Sequence, residues 1–206
     1  MNSYKNQTMK SKNVYNIQEF NSGDGMLTTV WGPGMWHFLH TMSFNYPVQP
    51  TETDKKHYRE FVLSMQHILP CGKCRENLKK NFKTLPLTMK HMKSRETFSK
   101  YIFDLHEIVN TMLNKKSGLT YEIVRERYEH FRSRCTKSLR DKKKNKTKKV
   151  RYQKKEDGCT DPLYGEKSKC VLQIIPQDID CETLQIDDQC IKQRYPGLLE
   201  PALKDK

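Results

Sequence analysis

Apolar side chains recur at the helical period in five successive stretches of this 206-residue chain, and nothing before residue 170 alternates with period two for long. That pattern excludes a sheet-built domain and calls for helices that each bury one face. Trp36, Leu39, Met42, Ser43 and Tyr46 repeat at helical spacing after the turn Gly32-Pro33-Gly34. Pro33 or its successor is expected to open that helix, and Pro47 to stop it. Tyr58, Phe61, Val62, Met65 and Leu69 form a second stripe behind the capping residues Thr51 to Asp54. A third helix is predicted from Cys71 to about Phe82. Ser94 caps a fourth, which buries Phe98, Ile102, Leu105, Val109, Met112 and Leu113 until Gly118 ends it. Thr120 begins a short fifth carrying Ile123, Val124, Arg127, Tyr128 and Phe131. The expected fold class is all-α, a four-helix bundle plus a short fifth helix.

Charge sets the boundaries around that bundle. Residues 1–30 are polar and aperiodic and are expected to be disordered. Residues 31–135 are the predicted helical domain. A basic linker follows at 136–157, with eleven Lys and Arg against Asp141 alone between 136 and 155. Residues 158–206 form a cysteine-containing acidic tail; from 156 onward eleven acidic side chains face six basic ones. Val171 to Ile175 is a candidate lone strand, too little for a sheet. Hydrophobic content of 35% and a mean hydropathy of −0.89 agree that part of the length stays unpacked. No apolar run approaches the roughly 20 residues of a membrane span, and the first thirty residues hold no secretory signal. No arginine precedes Arg59, against an Arg-rich presequence. The expectation is a cytoplasmic protein. The basic run reads as a solvated linker, or as a contact for nucleic acid, an acidic partner or nuclear import.

Chemistry enters at Cys71-Gly-Lys-Cys74, directly after Leu69-Pro70 and at a predicted helix start. Two thiols at i and i+3 can cycle between dithiol and disulfide, and the free N–H groups of a helix N-terminus favour a thiolate. Alone, such a pair is equally half of a zinc site, which leaves open a zinc-stabilised nucleic-acid binder or a virion scaffold using the basic run. Trp36 and His40 share one helix face; His106 and Asn110 share another, with Lys115 just beyond. Aromatic rings, amide and imidazole edges, a cation and a redox dithiol in one bundle suit a flavin. The Gly-rich dinucleotide loop is missing, so FAD would have to lie between helices. Cys135 stands alone. Cys159, Cys170, Cys181 and Cys190 suit no common zinc site and read as tail disulfides or as a second dithiol on a flexible arm.

Three stretches resemble the Erv/ALR family of FAD-linked sulfhydryl oxidases. Trp36-His37-Phe38-Leu39-His40 closing with Tyr46-Pro47 is similar to its W-x-x-x-H helix and Y-P stop. Leu69-Pro70-Cys71-Gly72-Lys73-Cys74 is similar to its Y-P-C-x-x-C site, and His106 to Asn110 through Leu113-Asn114-Lys115 to its H-N-x-V-N-x-x-L-G-K signature. The resemblance implies that Gly32, Trp36, His40 and Tyr46 line the flavin. It further implies that His106, Val109, Asn110 and Lys115 hold the adenosine and diphosphate side, with Tyr128 against the adenine. Cys74 would face the isoalloxazine and Cys71 would exchange with incoming dithiols. It implies dioxygen as acceptor, a protein dithiol or thioredoxin-like carrier as substrate, and a homodimer; no metal site is expected. The departures are Pro33 for an arginine, Glu107 for the first asparagine, Asn114 for the glycine, and no C-x16-C disulfide, which would fall at Phe103 and about Thr120. The missing disulfide and the Gly32-Pro33-Gly34 opening look more like members encoded by large DNA viruses, implying host cytoplasm or virion rather than the mitochondrial intermembrane space.

Overall fold

The computed structural model describes residues 16–134, 159, 161–181 and 184–191. Helices α1 (Ile17–Phe20), α2 (Thr28–Phe44), α3 (Glu52–Ile68), α4 (Gly72–Thr84), α5 (Arg95–Met112) and α6 (Tyr121–Glu129) carry the described architecture. Helices α2 to α5 make the bundle, with α2 on α5, α3 on α4 and α4 on α5, while the short α6 packs on α2. Among the described residues the only sheet is two residues long on each side, β1 (Ser133–Arg134) antiparallel to β2 (Asp161–Pro162). No helix among them is long and apolar enough to cross a membrane.

The helix starts follow from local chemistry. Thr51 accepts the Asp54 N–H while the Asp54 carboxylate takes the Thr51 N–H at 2.9 Å. Ser94 and Thr97 make the same reciprocal cap for α5, and Thr120 caps α6. Each such cap is worth about 1 kcal/mol. Arginines close the end of α2: Arg95 Nε donates to the Tyr46 carbonyl at 2.6 Å and Arg132 Nη2 to that of Phe44 at 3.0 Å, cations where the helix dipole favours them. Helix α5 ends with Asn114 at φ 55°. The Lys115 N–H reaches back to the Asn110 carbonyl and that of Asn114 to Thr111. Asparagine tolerates this left-handed step, which explains how Asn114 stands where the family has glycine.

One core joins the four long helices. Leu39, Val62, Met65, Leu78, Phe82, Met92, Phe98, Ile102 and Leu105 form it, with Trp36 and Cys74 packed against its edge. A smaller cluster of Phe44, Tyr121 and Val124 seats α6.

Four expectations need correction. Helix α2 starts at Thr28, so Pro33 lies inside it rather than at its head. An interior proline costs about 3 kcal/mol, and tertiary anchors offset it. The Met26 N–H donates to the Pro70 carbonyl at 2.8 Å, and Trp31 Nε1 donates to the Met26 carbonyl at 3.1 Å. Of the segment expected to be disordered, residues 1–15 lie outside the described residues. Residues 16–30 carry α1, begun by an Asn16–Glu19 capping box, and the head of α2. Met112 and Leu113, expected on the buried side of α5, are exposed, because they lie at the C-terminal end of the helix past its last fully buried residue, Leu105. Val171 to Ile175 is irregular rather than a strand, since a lone strand has no neighbour for its amides. The basic linker at 136–157 and Cys135 lie outside the described residues.

Candidate active site

The chain turns between α3 and α4 at Leu69-Pro70-Cys71, and this corner sets the dithiol. Cys71 is the N-cap of α4, with φ −156° and ψ 117°, and its Sγ accepts the Cys74 N–H at 3.2 Å. Both sulfurs are free thiols, half-buried. Their environments differ. The bonds from the Cys74 side chain and N–H hold the Cys71 thiol below its ordinary value, with Arg75 adding to the effect. Burial, followed by the Cys71 sulfur, pushes Cys74 up to about 11. Cys71 is thus the sulfur that ionises first and Cys74 the one set against the core.

The N-terminal strap runs over this corner. A Cβ at Gly25 would stand 2.9 Å from the Pro70 carbonyl oxygen and 3.1 Å from Cys71 Cα. Only glycine lets the strap come so close.

A second group of side chains gathers where α2, α5 and α6 meet. The Trp36 and His106 rings are stacked, with centroids 3.9 Å apart and planes 6° apart. His40 Nε2 and His106 Nδ1 are 3.0 Å apart and share one proton between neutral rings. Burial and the neighbouring His106 and His37 lower His40 to about 3, and burial lowers His106 to about 4. Tyr128 lies 5.2 Å from His40 and nearly parallel to Phe44, completing an aromatic wall. His40 Nδ1 is buried with no hydrogen-bond partner. A buried ring nitrogen without a partner is costly.

Of the residues singled out from sequence, Trp36, His40, His106 and Tyr128 come together. Asn110 is half-buried, its amide donating to Glu107 Oε1 at 2.9 Å; the glutamate at the family's asparagine position therefore engages the next signature residue. Val109 is half-buried, Lys115 is exposed, and a Cβ at Gly32 would meet nothing within 4 Å. Tyr46 does not join this group. It is fully buried against Tyr58 and Phe98, and its hydroxyl donates to the Met92 carbonyl at 3.0 Å. Tyr46 lies beyond the end of α2 at Phe44, so the helical spacing from Trp36 does not fix its direction.

Sequence reasoning passed over His37, whose Nδ1 sits 3.4 Å from the Tyr128 hydroxyl, and also Gly25 and Arg75. Arg75, directly after the cysteine pair, was legible as a charge near a thiol; Gly25 carried no local signal. In the tail Cys159 is disulfide-bonded, Cys170 and Cys181 are exposed free thiols and Cys190 is a half-buried one. Among the described residues no three His, Cys, Asp or Glu converge to hold a metal ion.

A dithiol at a helix head and a buried aromatic, imidazole-edged site thus share one helical bundle. The unpartnered His40 Nδ1, the ring stack and the open space over Gly32 fit a flat aromatic cofactor. Comparison with known proteins identifies the family: residues 33–129 match the model of the Erv1 / Alr family. The chain is 40% identical over 115 residues to a protein of Acanthamoeba polyphaga mimivirus named "Probable FAD-linked sulfhydryl oxidase", covering 56% of this chain and 75% of that one. It is 32% identical to the FAD-linked sulfhydryl oxidase ERV1 of Arabidopsis thaliana, covering 41% of this chain and 42% of that one. The crystal structure of the yeast Erv1 core aligns with a TM-score of 0.47 at 24% identity, over 59% of this chain and 95% of that one. The chain belongs to the Erv1/Alr family of FAD-linked sulfhydryl oxidases, and its cofactor is FAD.

Proposed function

We propose that the protein forms disulfide bonds in protein dithiols, taking electrons at Cys71 and Cys74 and delivering them to dioxygen through FAD. The observation that carries this is the unequal pair of thiols at the head of α4, on the same core that Trp36 borders. A substrate thiolate attacks Cys71 Sγ of the oxidised pair; the Cys71–Cys74 bond breaks and Cys74 leaves as the thiolate. The second substrate thiolate then attacks the mixed disulfide and expels Cys71. The substrate loses two electrons and two protons, and the pair gains them. Access selects Cys71, because Cys74 is packed against the core. Re-formation of the disulfide joins Cys71 Sγ to Cys74 Sγ: two protons leave to solvent and two electrons pass to the acceptor that FAD would supply, with Cys71, the thiol that ionises more readily, as the attacking sulfur. FAD, held by the residues named below, would supply the two-electron acceptor, with dioxygen as the final oxidant and hydrogen peroxide as product.

In this reading Trp36, His40, His106 and Tyr128 hold the aromatic parts of the cofactor, Gly32 and Val109 shape its walls, and Asn110 and Lys115 serve its polar end. His40 Nδ1 offers a bond to a cofactor edge, and the neutral state of both histidines keeps repulsion out of the site. The oxidase domain spans 31–135, and the acidic tail carries its own cysteines. Protein dithiols, including a thioredoxin-like carrier, are the proposed substrates and a homodimer the proposed assembly. The viral relative favours host cytoplasm or virion as the setting. Oxygen uptake and peroxide release with a reduced protein dithiol test the reading. Cys71→Ser and Cys74→Ser should each abolish both while FAD still co-purifies; undiminished turnover in either variant contradicts it.

A further inference from the structure

The carbonyl of Leu69 is the knot of the corner that carries the dithiol. It accepts the Cys71 N–H at 2.8 Å and Arg75 Nη1 at 2.5 Å. Arg75 lies just past Cys74, and its N–H bonds the Cys71 carbonyl at 3.1 Å. Its half-buried side chain does not extend into water but folds back over the helix head; a Cβ on Gly72 would stand 3.6 Å from Nη2. No carboxylate among the described residues pairs with it, since Glu76 is taken by Lys73 at 3.6 Å. A cation turned onto a helix N-terminus works against the dipole, so its place there calls for another cause. The other charged or titratable groups on the elements at this corner are Cys74, Lys73 and Glu76 on α4, His67 in the last turn of α3, and Asp24 on the strap.

We propose that Arg75 is a positioning residue for the thiol chemistry. It ties down the Leu69 carbonyl, which fixes Cys71 at the head of α4, and it sets a permanent positive charge beside both sulfurs. The proposal deepens, and rests on, the reading of Cys71 and Cys74 as the redox pair. The carbonyl contact is a directed bond from Nη1, whose geometry a lysine ammonium does not reproduce, while the charge needs only a cation. The two roles therefore separate by substitution. Both thiols feel the guanidinium in the same direction.

The test uses the full chain loaded with FAD, reduced without oxygen and treated with iodoacetamide across a pH series. Alkylation of the Cys71 peptide is followed by mass spectrometry in wild type, Arg75→Lys and Arg75→Gln, alongside kcat and KM for dithiothreitol. Arg75→Gln should move the Cys71 profile to higher pH and slow its alkylation at neutral pH by roughly threefold to tenfold, in line with the smaller thiolate fraction. Arg75→Lys should restore the profile but keep kcat/KM depressed, because the corner is no longer held. An Arg75→Gln protein with the wild-type alkylation profile overturns the proposal. If that variant does not fold, Arg75→Lys decides alone, and wild-type kcat/KM there overturns it. Alkylation needs no turnover, so failure of the redox reading itself would show separately, as oxidase activity surviving in Cys71→Ser and Cys74→Ser.

Discussion

The amide N–H of Cys74 donates to Cys71 Sγ across 3.2 Å, so one sulfur of the pair is stabilised as an anion and the other is not. With Cys71 lowered and Cys74 raised to about 11, the reduced protein should alkylate at Cys71 first. Its rate near neutral pH should exceed that of Cys74 by at least about tenfold. Peptide-resolved trapping with iodoacetamide checks this; equal rates would contradict the asymmetry.

The strap offers a purely steric test. Gly25→Ala puts a methyl 2.9 Å from the Pro70 oxygen and 3.1 Å from Cys71 Cα, both backbone atoms that cannot swing aside. Overpacking of this kind costs about 1–3 kcal/mol, and the displaced corner should slow thiol exchange at Cys71. Gly23→Ala, with nothing within 4 Å, is the matched control and should be silent. Thermal unfolding and dithiol kinetics on both variants make the comparison.

Acid should unfold the protein through its buried histidines. An unfolded histidine protonates near pH 6.5, whereas His40 and His106 stay neutral until about 3 and about 4. Below 6.5 the unfolded chain therefore binds more protons. This stability is fully present above 6.5 and is lost as pH falls toward 4. The almost wholly buried His40 accounts for roughly 1.4 kcal/mol per pH unit within that window. Tm should fall between pH 7 and 5, less steeply in His40→Gln; a flat Tm in the wild type would contradict the neutral pair.

The Tyr46 hydroxyl offers a test of core against cofactor. Tyr46→Phe leaves the buried Met92 carbonyl without its 3.0 Å donor, which should cost about 1–1.5 kcal/mol and leave the flavin content of the purified protein unchanged. Lost flavin with unaltered stability would put the hydroxyl at the cofactor after all.

Helices α3 to α6 were legible because each begins with a side-chain cap and carries an apolar stripe, although the fully buried part of the α5 stripe ends at Leu105 and leaves Met112 and Leu113 exposed. Thr51, Ser94 and Thr120 mark their starts within a residue. The head of α2 was not legible, because its anchors join Met26 to Pro70, far apart in sequence. The pairing of Trp36 and His40 with His106 followed from two helical faces meeting. His37, read from the sequence as an ordinary histidine, meets Tyr128 of α6, a contact that the pattern along α2 does not announce. Tyr46 lies past the end of α2, so the helical phase that relates Trp36 to His40 does not carry to it. Gly25 and Arg75 matter only through contacts with the Leu69–Cys71 corner, and no local pattern announces such contacts.

The visible absorption of the purified full chain, followed anaerobically as a dithiol is added, tests the central claim most directly. The account predicts a yellow protein whose flavin band bleaches on addition of dithiothreitol in the wild type and persists in Cys71→Ser and Cys74→Ser. A colourless protein that FAD cannot reconstitute, or a Cys74→Ser variant that bleaches at the wild-type rate, would contradict it.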